Sequence, residues 1–173
     1  MVNRREFMAA GALAGVALAA SCTACRRTSY GFLRENDAAT LAAICDQIIP
    51  ADDFPSASQA GVLTYIDLQL NGPYRRHKKA YLEGLKQANA MSASRFGVDL
   101  ARASAQQQFE IVSALERENR PFFDLVRAHT MQGYYGSPRH GGNRDAVSWR
   151  MLSLDEPPLR GRAQYDLTAG AKR

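Results

Sequence analysis

The densest group of chemically versatile residues lies near the end of the chain, where residues 134–145 read YYGSPRHGGNRD. These twelve positions hold three glycines, a proline, two arginines, a histidine, a carboxylate and an amide. Polar side chains on such a flexible backbone are typical of a functional site. The residue types would suit a phosphate site, a substrate site or a docking site for another protein.

The glycine spacing argues against two common catalytic loops. Gly136, Gly141 and Gly142 form neither GxGxxG nor GxxxxGK, and they follow a predicted helix rather than a strand. The chain also has no GxSxG motif, which would place a serine nucleophile on a sharp turn. A phosphate loop and a hydrolase elbow are therefore both disfavoured.

The remaining titratable residues do not form a catalytic or metal-binding set. His77, His129 and His140 occur without HxxxH or HExxH spacing. His129 falls on an apolar helix face, which is typical of a core or subunit-facing histidine, and we predict that His140 is neither a base nor a metal ligand. Asp52 and Asp53 are adjacent acids in a proline-flanked loop, which more often shape a turn than form a carboxylate pair. We therefore predict no catalytic, cofactor-binding or metal-binding residue in this chain.

The first residues resemble an export signal. Arg4, Arg5 and Phe7 precede an uncharged run, rich in alanine and glycine, at residues 9–20. The run is too short to span a bilayer, which needs about 20 apolar residues. Paired arginines before a weakly hydrophobic segment resemble a twin-arginine signal, whose pathway exports folded proteins. An ordinary secretory signal is the alternative.

The cysteines bear on the end of that signal. Residues 18–22 form a loose lipoprotein box with Cys22 as the candidate for acylation, and lipidation would tether the chain to a membrane surface. Cleavage at the small-residue site around 17–19 is the alternative. Cys22 and Cys25 form a CxxC without a second ligand pair. Cys45 falls on an apolar helical pattern and is predicted to be a buried thiol.

The charge is mildly basic. The chain has 22 basic and 17 acidic residues, a net charge of +5, and the two signs are mostly interleaved. A nucleic-acid partner is therefore not predicted, because such proteins cluster their positive charge. The one basic run, residues 75–79, suits the solvated start of a helix, with an acidic partner or anionic lipid headgroups as alternatives.

Positioning these residues requires helices, because the apolar spacing after the signal is helical throughout. The first helix is predicted to be capped by Asn36 or Asp37 and to stop at Pro50. The second is predicted to start at Ser56 or Ser58. The apolar face of the first helix comprises Leu41, Ile44, Cys45 and Ile48, and that of the second comprises Val62, Ile66 and Leu70.

Three further helices follow. The third is predicted over about 74–96, the fourth from Ser104, and the fifth with Pro121 in its first turn. The side chains predicted to face inward on the third and fourth helices are Tyr81, Leu85, Ala88, Phe109, Val112 and Leu115. The fifth helix carries Phe122, Leu125, Val126, His129 and Tyr134. After Gly136 the chain is predicted to be irregular. The sequence has no alternating apolar and polar run long enough to predict a strand.

The predicted fold class is all-α, a small irregular bundle of about five helices with long loops, preceded by a signal segment. We divide the chain into a signal at 1–21, a linker at 22–33, a helical domain at 34–154 and a basic, loosely ordered tail at 155–173. The residues predicted to shape the two loops are Pro50, Asp52, Asp53, Gly136, Gly141, Gly142, Asn143 and Asp145.

Two blocks of the sequence resemble the gluconate 2-dehydrogenase subunit 3 family. The first is LAAICDQIIPADD at 41–53, continued by ASQAGV at 57–62 and YID at 65–67. The second is GYYGSPRHGGNRD at 133–145 with Trp149. The resemblance covers roughly residues 34–154. It departs from the family after the tryptophan, where members often continue with a glycine and an aromatic residue but this chain reads MLSLDEPP.

The resemblance implies a non-catalytic small subunit of a periplasmic, membrane-associated dehydrogenase complex. In such complexes a large flavoprotein of the glucose–methanol–choline type holds FAD and oxidises a sugar, a sugar acid or a glycoside. Electrons pass to a cytochrome c subunit, which carries haem c, or to another acceptor. The resemblance implies that the small subunit carries the flavoprotein through the twin-arginine export machinery and stabilises it. No cofactor is implied in this chain.

On this reading the opening stretch is a docking loop for the flavoprotein. Aromatic and arginine side chains are enriched at interfaces, and the candidates are Tyr134, Tyr135, Arg139, Arg144 and Trp149. We expect the last four of these to face outward or half-outward. A stand-alone periplasmic, lipoprotein-like binding module is the alternative, and an autonomous enzyme is the least favoured reading.

Overall fold

The computed structural model describes residues 30–154, and this part of the chain is all-helical, as predicted. Its six helices are α1 (Glu35–Ile48), α2 (Val62–Asn71), α3 (Lys78–Phe96), α4 (Ala105–Glu118), α5 (Arg120–Tyr135) and α6 (Val147–Met151). The predicted signal at 1–21, with Arg4, Arg5 and Phe7, lies outside the described residues, as do Cys22 and the predicted tail at 155–173.

The core forms around α1, which packs against α2, α3, α4 and α5. The large side chains buried there are Leu41, Ile44, Ile66, Leu70, Tyr81, Leu85, Ile111, Leu115 and Val126. At Gly84 of α3 an added Cβ would overlap the ring of Phe122. The close contact between α3 and α5 therefore requires glycine at this position, because glycine has no side chain.

The start of α1 differs from the prediction. The N-cap position is Arg34, which makes no side-chain cap hydrogen bond, so neither Asn36 nor Asp37 caps the helix. Glu35 and Asp37 lie in the first turn instead. Carboxylates there stabilise the positive end of the helix dipole, which is a second reason for acidic residues at a helix start.

The start of α2 also differs, because Asp46 holds the preceding turn. Its carboxylate accepts hydrogen bonds from the Ser58 backbone N–H at 2.8 Å and the Ser58 hydroxyl at 2.6 Å. Residues 57–61 are therefore turns, and the helix begins at Val62 after Gly61, whose φ of 83° is left-handed. The predicted helix start at Ser56 or Ser58 was wrong.

Helix α4 begins as predicted but presents a different face. Ser104 and Gln107 form a reciprocal capping box, which fixes the start. Phe109 was predicted to face inward and is 56% exposed. Ile111 takes the core position, since it shares a helix face with Leu115 four residues on.

The segment after α5 is more regular than predicted. It contains two single-turn 3-10 helices, Pro138–His140 and Arg144–Ala146, and then α6. Three residues near the second turn have left-handed backbones, namely Asn143, Asp145 and Ala146 with φ of 44°, 56° and 53°. Side-chain and backbone contacts to α2 and α5, rather than helical periodicity, hold this segment.

Candidate docking surface

Asn143 is the internal support of the C-terminal loop, residues 136–146. Its side chain is fully buried, and its amide donates to the carbonyl of Gly136 at 2.8 Å. Its Oδ1 accepts from the backbone N–H of Ser148 at 2.9 Å. One side chain therefore ties both ends of the loop together, and asparagine tolerates the left-handed backbone this requires.

Two glycines let the loop backbone lie directly on the helices. An added Cβ at Gly141, whose φ is 93°, would come within 2.7 Å of Cδ1 of Leu68 on α2. An added Cβ at Gly142 would overlap the carbonyl oxygen of Gly133 on α5. The third glycine, Gly136, has an extended backbone, and an added Cβ would overlap the carbonyl oxygen of Gln132.

The loop is also bonded to the turn that precedes α2. The backbone N–H of Arg144 donates to the carbonyl of Ala60 at 2.8 Å. The hydroxyl of Tyr134 donates to the carbonyl of Pro55 at 2.8 Å. The two sequence blocks that carry the family resemblance are therefore one structural unit, although about 80 residues separate them along the chain.

The other predicted loop shapers lie in the turn after α1. Pro50 follows the last turn of that helix, and Asp52 accepts a hydrogen bond from the backbone N–H of Phe54 at 2.8 Å. The Asp52 backbone N–H returns a bond to the carbonyl of Phe54 at 3.1 Å. This is a local turn of the kind aspartate favours, with the neighbouring Asp53 exposed.

Two of the five interface candidates are buried within the chain. Tyr134 is 2% exposed and Trp149 is 9% exposed. The prediction that Trp149 faces outward or half-outward was wrong. Its indole N–H donates a hydrogen bond to the carbonyl of Tyr135 at 3.1 Å, which holds the side chain against the end of α5. Both side chains support the loop from inside.

The other three candidates are exposed. Tyr135 is 37% exposed, and both Arg139 and Arg144 lie at the surface. The Arg139 side chain donates to Ser137 Oγ at 3.1 Å, and the ion pairs found in residues 30–154 include neither arginine. Their charges are therefore available to a partner.

Sequence reasoning missed one member of this surface. Leu68 is 51% exposed, although its neighbours Ile66 and Leu70 are fully buried. The sequence did contain a signal for it, because Leu68 falls outside the apolar face of the second helix. We define the docking surface as Leu68, Tyr135, Arg139 and Arg144.

An aromatic cluster centred on His129 of α5 includes Tyr74 and Tyr81. The imidazole stacks on Tyr74 with ring centroids 4.5 Å apart, and its Nδ1 shares a hydrogen bond with the Tyr81 hydroxyl at 2.9 Å. Burial, with the nearby His77 and Arg76, lowers the pKa of His129 to about 4. His129 is therefore a neutral core histidine at physiological pH, one of the two predicted alternatives.

Cys45 is the buried thiol that the sequence predicts. Its Sγ lies 3.2 Å from Thr130 Oγ1, and burial raises the pKa of the thiol to about 12. The residue stays protonated at physiological pH and is a poor nucleophile or metal ligand in that form.

The rest of the described chain offers no assembled ligand set. Within residues 30–154 no three His, Cys, Asp or Glu side chains are grouped to hold a metal ion, and His140 lies exposed on the loop. None of the described helices combines the length and apolar character needed to cross a bilayer. A groove of about 990 Å³ lies away from the docking surface and is lined by residues such as Phe32, Arg34 and Lys86.

Comparison with known proteins bears on this arrangement. The family model described as Gluconate 2-dehydrogenase subunit 3 matches residues 35–155, whereas no curated protein and no solved structure gives a significant match. Because the match covers more than half of the sequence, the chain belongs to the gluconate 2-dehydrogenase subunit 3 family. Membership makes it a small subunit of a dehydrogenase complex, with other dehydrogenase subunits as partners.

Proposed function

We propose that this member of the family is the non-catalytic small subunit of an FAD-dependent dehydrogenase that oxidises a sugar, a sugar acid or a glycoside. Its role is to bind and stabilise the large flavoprotein of the glucose–methanol–choline type. FAD would lie in that partner and haem c in a cytochrome c subunit. The two sequence blocks that resemble the family are bonded to each other beside the docking surface, and this observation carries the proposal.

The composition of the docking surface supports a protein partner. It combines exposed apolar groups, Leu68 and Tyr135, with two arginines that lack an ion pair among the described residues. Aromatic and arginine side chains supply most hot-spot energy at interfaces. The loop is also held on both sides, so little ordering entropy would be lost on docking.

Export and location form the second part of the proposal. The paired arginines Arg4 and Arg5 with Phe7 would direct the folded chain, with its partner bound, through the twin-arginine machinery to the periplasm. The complex would associate with the inner membrane, either through another subunit or through acylated Cys22. Replacing both arginines by lysine should then retain both subunits in the cytoplasm, as cell fractionation would show.

The docking surface is tested by co-purification of the flavoprotein with tagged small subunit. Replacing Arg144 by Ala should lower recovery of the flavoprotein about tenfold, since an interface arginine is commonly worth 1–2 kcal/mol or more. Arg139→Ala should act in the same direction. Arg117→Ala, an exposed arginine on α4, is the matched control and should leave recovery unchanged.

The specific activity of whatever complex does assemble separates docking from catalysis. We expect it to equal that of the wild type, because the docking arginines do not take part in the chemistry. Normal assembly of Arg144→Ala with loss of turnover would contradict the proposal.

A stand-alone binding module is the second candidate, and the groove beside α1 is the observation that favours it. Its lining combines the apolar Phe32 and Leu82 with three cations and three carboxylates, which are Arg34, Lys86, Arg102, Glu35, Asp37 and Asp99. A small polar ligand that raised the melting temperature of the isolated chain would support this function. If no ligand raised the melting temperature and the chain captured the flavoprotein, the subunit role would be supported over the binding module.

A further inference from the structure

A basic cluster lies where α3 begins. We define it as Arg75, Arg76, Lys78 and Lys79, of which all but Lys78 are exposed. Cations at the start of a helix oppose its dipole and cost stability, so helix formation does not explain them. Of the four, Lys79 alone pairs with a carboxylate in the described chain, and its 3.7 Å contact with Glu83 is highly exposed and weak.

The cluster lies beside the point where the chain enters the domain. The ammonium of Lys78 sits 4.8 Å from the centroid of the Phe32 ring and donates to Asn71 Oδ1 at 3.0 Å. The path of the chain here is fixed by the buried carboxylate of Asp67 on α2. It accepts hydrogen bonds from the backbone N–H groups of residues 31–33 at 2.8–2.9 Å.

The sequence before this point holds the elements that would meet a membrane. Cys22 precedes Tyr30 by eight positions, and the apolar run at 9–20 comes before it. An extended segment of eight residues reaches at most about 28 Å. Arg26 and Arg27 lie within it and add two more cations. Acylated Cys22 would therefore hold the start of the described domain, beside the basic cluster, within about 28 Å of the bilayer, and a chain held by its leader would be tethered only a few residues further away.

We propose that the basic cluster binds the anionic lipid headgroups of the membrane to which the N-terminal segment is attached. One acyl chain alone gives only marginal membrane binding, and a basic patch is a common second signal. Each cation near an anionic surface changes partitioning about fivefold. The cluster would therefore hold one side of the domain against the membrane. This inference rests on the proposed membrane association but does not require the flavoprotein.

The test is co-flotation of the full chain with two kinds of vesicle. One kind contains phosphatidylcholine only, and the other contains about one-third phosphatidylglycerol. The neutral vesicles report insertion of the apolar leader alone, so the difference between the two reports the anionic headgroups. We expect R75Q/R76Q/K79Q to reduce that difference roughly 100-fold at low salt, and high salt to remove most of it in the wild type.

The matched control removes three exposed cations from elsewhere on the domain. R95Q/R117Q/R127Q changes the net charge by the same amount, and its arginines lie at the end of α3 and on α4 and α5. It should retain most of the preference for anionic vesicles. Equal losses in the two variants would overturn the proposal, because they would report net charge rather than the cluster.

A separate outcome would point to an acidic protein surface. If R75Q/R76Q/K79Q kept full vesicle binding but lost co-purification of the flavoprotein, the cluster would be a protein-docking site and the lipid proposal would be wrong. Far-UV circular dichroism of each variant confirms that the helices are retained. Failure of Arg144→Ala to weaken assembly would count against the docking surface alone, so the two proposals fail independently.

Discussion

His129 shows how the environment of one residue decides its chemistry. An exposed histidine titrates near pH 6.5, but here the imidazole lies between Tyr74 and Tyr81 with cationic or titratable groups, Arg76 and His77, close by. Burial and these neighbours both disfavour the imidazolium form. The same residue type that would be a general base in a cleft is a neutral packing group in this cluster.

The folding stability should therefore fall in mild acid. The unfolded chain binds a proton at His129 near pH 6.5, whereas the folded chain does so only at about pH 4. Stability from the neutral imidazole is present above pH 6.5 and is lost as the pH falls towards 4, on the order of 3 kcal/mol. Thermal melts across this range should show a shallower pH slope for His129→Asn than for the wild type. Parallel slopes would contradict this assignment.

Gly84 should be intolerant of even one added carbon. A Cβ there would overlap the ring of Phe122, so Gly84→Ala is expected to cost about 1–3 kcal/mol through forced separation of α3 and α5. Gly97 ends the same helix in a left-handed conformation but has no atom near the position of an added Cβ. Gly97→Ala should cost only about 1 kcal/mol, for backbone strain. Urea denaturation compares the two; equal costs would exclude the packing argument.

At the scale of elements, the C-terminal loop behaves as a part of the helical core rather than as a flexible connection. The Asn143 side chain connects the two ends of the loop by hydrogen bonds. Gly141 and Gly142 allow its backbone to contact α2 and α5, and Trp149 donates a hydrogen bond to the end of α5. Its exposed residues are thereby presented on a fixed support. An interface built this way gains affinity from preorganisation as well as from contacts.

Gly142→Ala should detach this loop without unfolding the helices. The new Cβ would overlap the carbonyl oxygen of Gly133, so the loop must move away from α5, at a cost of about 1–3 kcal/mol. Trp149 is the single tryptophan of the chain, and its emission should shift to the red while far-UV circular dichroism is retained. Ser137→Ala in the same loop is the control. An unchanged emission in Gly142→Ala would show that the loop accommodates the methyl group.

Across the whole molecule, the helical spacing of apolar residues correctly predicted most of the helices and many of the core positions. The apolar repeats of Leu41, Ile66 and Leu85 place them in the core, and five of the six helices follow from such repeats and their breakers. Phe109 was misplaced, because two neighbouring faces of α4 were both apolar enough to be buried. Local spacing holds no information about which face meets α1.

The candidate site depends on contacts between distant residues, and these were the part that spacing did not reveal. The residue types in the C-terminal loop indicated a docking role, but the burial of Trp149 follows from a hydrogen bond to the end of α5. The exposure of Leu68 matters because Gly141 lies against it. Both facts require the three-dimensional arrangement.

The attachment of the chain at Asp67 should be sensitive to loss of its charge. Asp67→Asn removes a carboxylate that accepts hydrogen bonds from three consecutive backbone N–H groups. Hydrogen bonds to charged groups are worth about 1.5–3 kcal/mol, so local opening should increase roughly 10- to 100-fold. Chymotrypsin cleavage after Phe32 measures it. Asp46→Asn, at the carboxylate that holds Ser58, should leave this cleavage rate unchanged.

The same attachment has a mechanical consequence. A pulling force applied to the leader meets the bonds between residues 31–33 and Asp67 before it reaches α1. Helix α2 in turn contacts the C-terminal loop at Gly141, so tension would pass from the leader through α2 towards the docking surface rather than unwinding the first helix. In force spectroscopy with handles at the chain ends, we expect the wild type to show a rupture step that Asp67→Asn lacks. Identical force traces for the wild type and Asp67→Asn would show that the bonds to Asp67 do not bear the applied force.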